Sequence, residues 1–130
     1  MLKTTNKLPR PEILQGMTIK IGSPFGTVYT TVNENDKKEP FELFCNVGKA
    51  GSDICADAEA LGRCISLLLR TPSPVPEIER IKEVIDHLSG IGGSKDHGFG
   101  PNRVRSVPDA IAKALVVYLE MKGEKQQVSE

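Results

Sequence analysis

The apolar positions follow two different periods along the chain, and the period changes at Gly48. Before that point they alternate. Residues 18–21 set Ile19 and Ile21 on one face, and residues 27–32 set Val28, Thr30 and Val32 opposite Thr27, Tyr29 and Thr31. Residues 41–47 bring Phe41, Leu43, Cys45 and Val47 to one side. A period of two with β-branched and aromatic content predicts half-buried strands. Ser23-Pro24-Phe25-Gly26 is a turn sequence, with proline second and glycine last. The charged stretch 33–39 reads as a loop closed by Pro40. Connections this short imply an antiparallel meander of three strands.

After Gly48 the spacing becomes three and four. Ile54, Ala58, Leu61, Ile65 and Leu68 predict a helix over 53–70 whose apolar stripe covers the sheet. Ser52 suits its N-cap, and Asp53 puts a negative charge in the first turn. Thr71-Pro72-Ser73-Pro74 stops it. A second helix is predicted over 77–88, with Pro76 at its first position, Ile78, Ile81, Ile85 and Leu88 on one face, and Gly90 ending it. Ser106-Val107-Pro108-Asp109 has the form of an N-terminal box. It opens a third helix to about Lys122, with Ile111, Ala114, Leu115 and Tyr118 inward and Gly123 as the stop. The expected fold is α+β: a three-stranded antiparallel meander followed by three helices packed on the sheet, βββααα. Residues 1–16 read as an N-terminal arm, 17–122 as a single domain and 123–130 as a frayed polar tail.

Size and charge narrow the function. A chain of 130 residues accommodates one domain and one core, with no room for a large catalytic barrel. The 17 basic residues balance 17 acidic ones, and the pI is near 6.7. A protein that grips nucleic acid through phosphates carries a basic surface, so no nucleic-acid partner is expected. No stretch reaches the roughly 20 apolar residues of a membrane span, and no apolar run follows the early lysines, so a cytoplasmic domain with no membrane partner is expected. Cys45, Cys55 and Cys64 have no Cys-x-x-Cys spacing. Cys55 and Cys64 stand roughly 13 Å apart along one predicted helix, beyond disulfide or shared-metal reach. Buried free thiols are the expectation, and no metal site.

Two glycine-rich segments are candidate sites. Gly48-Lys49-Ala50-Gly51-Ser52-Asp53 joins a strand to a helix, where free N–H groups and Lys49 could hold an anion. It lacks the Walker spacing, and Asp53 would repel a phosphate, so a plain structural turn is the stronger reading. Residues 90–101 include Gly92 and Gly93 and precede Arg103 and Arg105. That loop either folds over a phosphate or carboxylate held by the arginines, or connects to a short edge strand at 103–106. Gly48, Lys49, Gly51, Ser52, Gly92, Gly93, Arg103 and Arg105 thus form the anion- or nucleotide-binding candidate. His87 suits a helix end, and His97 has no partner at metal-ligand spacing. No catalytic triad, zinc-protease or paired-cysteine pattern is present, and Asp53, Asp57 and Glu59 read as a solvated helix face. Double-stranded RNA modules also run three strands into a helix, but these acidic residues stand where cations would meet phosphates.

Several segments, in order, resemble one family. They are residues 10–18, 29–34, 40–44, 47–53, 59–67, 90–93 and 105–115, among them Val47-Gly48-Lys49-Ala50-Gly51-Ser52-Asp53 and Arg105-Ser106-Val107-Pro108-Asp109. The set resembles the C-terminal module of adenosylcobalamin-dependent (class II) ribonucleotide reductases, which also occurs as a free-standing small protein, the TSCPD domain. In such reductases the radical chemistry belongs to a large barrel with its own cysteines, and a cysteine-rich tail relays electrons. This chain has no cysteine beyond Cys64. The resemblance therefore implies an accessory subunit in deoxyribonucleotide synthesis, with no catalytic residues of its own. The expected partner is a class II ribonucleotide reductase catalytic chain, through which alone adenosylcobalamin would be met. A bound nucleotide and, from the two edges of the meander, a homodimer are further expectations.

Overall fold

Both periods produce the elements they predict. The computed structural model describes residues 7–48, 52–92 and 97–124. The strands are β1 (Gln15–Ser23), β2 (Gly26–Glu34) and β3 (Pro40–Val47), and the helices are α1 (Asp53–Arg70), α2 (Glu77–Leu88) and α3 (Val107–Met121), with a short 3-10 turn at Gly100–Asn102. The fold is α+β. The sheet order is β1-β2-β3, antiparallel throughout. Pro24 and Phe25 form the tip of the first hairpin. There Gly26 takes a φ of +110°, and Ser23 Oγ donates to the Gly26 carbonyl at 2.6 Å.

One face of the sheet carries the core. Val28, Thr30 and Val32 of β2 and Leu43, Cys45 and Val47 of β3 are buried, as the alternation predicts. α3 packs beneath β1 and β2 and against α2, while α1 runs along β3. Ile111, Ala114, Leu115 and Tyr118 of α3 are fully buried.

α1 keeps its predicted stripe at Ile54, Ala58, Leu61 and Ile65, all in the core or packed against it, but not at Leu68. Its buried residues are Ala58, Gly62, Ile65 and Leu69, whereas Leu68 is exposed. The cause is where the helix lies. It packs on the outer edge of β3, and a Cβ added at Gly62 would stand 3.1 Å from the Leu43 carbonyl oxygen. Close backbone approach, not the largest apolar side chains, selects the contacting face. Ser66 then serves the outward N–H and carbonyl of Leu43 on that strand edge, which blocks pairing there.

Three smaller expectations also change. Pro76 is the residue before α2, which starts at Glu77; its φ of −58° still suits the helix entry. The edge strand expected at 103–106 is reduced to one bridge, His97 to Val104. Of the cysteines only Cys45 is buried; Cys55 is half-buried and Cys64 exposed, because α1 meets the sheet through the Gly62 face.

Buried charges hold the pieces together. The Arg80 guanidinium, 5% exposed, donates to the carbonyls of Leu68, Leu69 and Thr71 at 2.8–3.1 Å and to Val75 at 2.8 Å. It thereby satisfies the carbonyl end of α1, where a cation also suits the helix dipole. The arm docks through Arg10, which pairs with buried Glu42 at 2.8 Å, and through Leu8, whose N–H donates to the Arg70 carbonyl at 2.9 Å.

Candidate functional site

The first glycine segment lies between β3 and α1, and its described residues are Gly48, Ser52 and Asp53. Gly48 follows β3 with a φ of +68°, the left-handed region where glycine is strain-free. Ser52 caps α1, and its Oγ accepts the Cys55 N–H at 3.1 Å. The hydroxyl is thus engaged by its own helix. Asp53 is exposed in the first turn. Lys49 and Gly51 lie outside the described residues, as does Gly93.

The second segment is stapled at its base. Asp109, 2% exposed, accepts the Gly90 N–H and the Arg105 N–H, each at 2.9 Å, and Lys113 approaches at 3.4 Å. Burial works to raise the Asp109 pKa, but those N–H groups and Lys113 outweigh it and hold the carboxyl below its ordinary range. Ser106 Oγ accepts the Asp109 N–H at 3.1 Å, one half of the predicted box. The carboxylate half goes to Arg105 and Gly90 instead of to the Ser106 N–H, and so closes the loop. Ser106 Oγ also donates to the Ile91 carbonyl.

Within this loop Arg105 is exposed, and a Cβ added at Gly92 would lie 3.7 Å from the Arg105 Cδ. Arg103 is half-buried. One neighbour leaves no local pattern: a Cβ on Gly22 would stand 2.7 Å from His97 Nε2, so Gly22 makes the space in which the imidazole rests. The register Ile21–Val28–Val47 puts the ends of β1 and β3 at one end of the sheet. The His97 loop and the Gly48 turn share that end but stand at opposite edges, two strand spacings or roughly 10 Å apart.

The face of the sheet turned away from the helices is a further surface that motif reasoning passed over. Its first row across the strands is Lys20, Tyr29 and Asn46, and its second is Thr18, Thr31 and Phe44. Tyr29 is 45% and Phe44 49% exposed. Thr18 and Thr31 hydroxyls bond to each other at 2.7 Å. The signal was in the alternation, which sets Tyr29 opposite the buried valines.

Beyond Phe44 and Asn46 this face runs into a groove of ≈ 190 Å³ between β3 and α1, lined also by Cys45, Cys55, Glu59 and Arg63. Glu59 and Arg63 form an exposed pair at 3.0 Å. Burial pushes the Cys45 thiol up to about 11, with neighbouring Thr30 acting against the shift and Cys55 adding to it. That thiol is protonated at neutral pH and a poor nucleophile. Among the described residues no three histidine, cysteine or carboxylate side chains come together as a metal site. Nor is any helix among them long and apolar enough to cross a membrane.

The profile of the TSCPD domain matches residues 3–119, nearly the whole chain. The chain belongs to the TSCPD domain family. Membership covers all six elements of the fold but not the last two residues of α3. It brings a general link to ribonucleotide reductase and nothing finer. The chain has no match among curated proteins or solved structures.

Proposed function

We propose that this TSCPD domain is an accessory subunit of a cobalamin-dependent ribonucleotide reductase, acting in deoxyribonucleotide synthesis without chemistry of its own. The observation that supports the reading is the family match over residues 3–119, which spans the same stretch as the ordered reductase-like segments. The site chemistry is compatible with it, since the groove thiol Cys45 is held protonated and the buried carboxylates Glu42 and Asp109 are occupied by structural partners. Adenosylcobalamin enters this proposal only through the partner; the groove between β3 and α1, at ≈ 190 Å³, is smaller than the roughly 300–1,000 Å³ of clefts for drug-sized ligands. The cofactor would belong to the catalytic partner.

The test is to mix the purified chain with a class II reductase catalytic chain and measure co-elution and turnover. Co-elution with changed turnover is the expected result; absence of binding together with an unchanged rate sinks the proposal. A second reading, an independent anion-binding module, draws on exposed Arg105 beside Gly92. Its signature is a melting shift with phosphate-bearing metabolites that Arg105→Ala or Lys49→Ala removes.

A further inference from the structure

We infer that the open face of the sheet is a mononucleotide site, in which a nucleobase stacks on Tyr29 and Phe44 with Asn46 at its edge and Lys20 near its phosphate. The two aromatics sit on neighbouring strands as diagonal partners, because Tyr29 pairs with Asn46 while Phe44 pairs with Thr31. Diagonal positions are roughly 7–8 Å apart, within reach of aromatic side chains, so the two rings belong to one patch of this face. Both rings are about half exposed, which leaves their faces accessible.

The occupant follows from what surrounds the rings. Lys20 flanks Tyr29 on one side and Asn46 on the other, each one strand away and each exposed. An amide beside a stacked base can donate to and accept from its edge, and an ammonium can meet a phosphate. A second copy of the chain stacked face to face would instead bury Lys20, Asn46, Thr18 and Thr31. That costs desolvation of one charged and several polar groups on each copy. A nucleic-acid strand needs cations that track several phosphates. This face offers Lys20, with Arg63 at the groove margin already paired to Glu59, and Arg10 bound to Glu42. One base with its own phosphates matches that supply.

This inference needs no partner chain, so it stands or falls separately from the reductase reading and from Arg105. The test is an NMR titration of the isolated chain with ATP, adenosine and ribose 5-phosphate. Expected are amide shifts at Lys20, Tyr29, Phe44 and Asn46 with the two base-bearing compounds, and none there with ribose 5-phosphate. Base stacking is worth roughly 1–3 kcal/mol by alanine substitution, so Tyr29→Ala and Phe44→Ala should each weaken binding about 5- to 150-fold. Tyr29→Phe should keep it. These side chains lie outside the core, and circular dichroism would verify that the variants fold. Any of three results overturns the inference. One is no shift with ATP or adenosine at about 10 mM, far beyond a useful affinity. Another is binding that survives both alanine substitutions, as a site near Arg105 or Lys49 would give. The third is a dimer dissociated by the same substitutions, or much tighter binding of an oligonucleotide than of ATP.

Discussion

Ser66 Oγ accepts the Leu43 N–H at 2.9 Å and donates to the Leu43 carbonyl at 3.0 Å. One hydroxyl on α1 thus satisfies both backbone groups of Leu43, which point away from β2. With Gly62 one turn earlier, it lets a helix lie where an edge strand would otherwise remain unpaired. Helix and sheet are joined by polar contact as well as by apolar burial.

Ser66→Ala should therefore destabilise the fold by about 1–3 kcal/mol, the cost of leaving a buried donor or acceptor unmade. Urea denaturation of the variant would measure it. An unchanged midpoint would mean that water or a shifted α1 replaces the hydroxyl. Ser66→Thr, which keeps the oxygen, should lose less than Ser66→Ala.

Glu42 makes stability depend on pH. Burial acts to raise its pKa, but hydrogen bonds from Arg10 and Asn33 and the charges of Arg10 and Arg70 hold it below the ordinary 4.5. A carboxyl depressed in the folded state contributes stability that is full above its unfolded pKa and lost as pH falls through the folded one. Asp109 acts in the same direction. Their contribution should thus begin to fall as pH drops into the ordinary carboxylate range and be gone below their folded pKa values. Arg10→Ala removes the main opponent of burial, raises the Glu42 pKa and should move the acid midpoint to higher pH. A midpoint left in place would show that the arm does not support Glu42.

Much of this fold was legible in the chain, and the misses have a common origin. Period two exposed the faces of β2 and β3, and capping residues located the starts of α1 and α3 at Ser52 and Ser106. The inward face of α1 was legible at Ile54, Ala58, Leu61 and Ile65 but not at Gly62 and Ser66, because spacing ranks residues by apolarity. Gly62 has no side chain to rank and Ser66 is polar, yet these two contact β3. Glu42 alternates as an outward residue and is nevertheless 2% exposed, since an arm 32 positions earlier covers it. Long-range pairing of this kind leaves no local pattern. The candidate site divides in the same way. Gly48 and Ser52 were readable as a turn and a cap, whereas the Asp109 staple and the Gly22 seat for His97 arise only from the tertiary fold.

Asp109→Ala should open the base of the 90–106 loop. It removes the acceptor of two backbone N–H groups, those of Gly90 and Arg105, and costs about 2–4 kcal/mol. Asp109→Asn retains one acceptor oxygen and should fall between. Amide hydrogen exchange gives a local readout: faster exchange at Gly90 and Arg105 than elsewhere is expected. A uniform increase across the protein would show that the carboxylate supports global stability and has no particular hold on the loop.

The three thiols should react in an order set by access and ionisation. Cys64 is exposed on α1, Cys55 is half-buried at the groove, and Cys45 is 5% exposed on β3. A thiol with its pKa near 11 is about one part in a thousand thiolate at pH 8, and the thiolate is the nucleophile. Timed alkylation read by mass spectrometry should label Cys64 first and Cys45 last. Raising the pH toward 10 should increase the Cys45 rate only where the fold admits the reagent. If Cys45 is instead labelled as fast as Cys64 at pH 8, the groove between β3 and α1 opens readily. The buried edge contact at Ser66 would then have to be weaker than its hydrogen bonds suggest, and the Ser66→Ala cost correspondingly small.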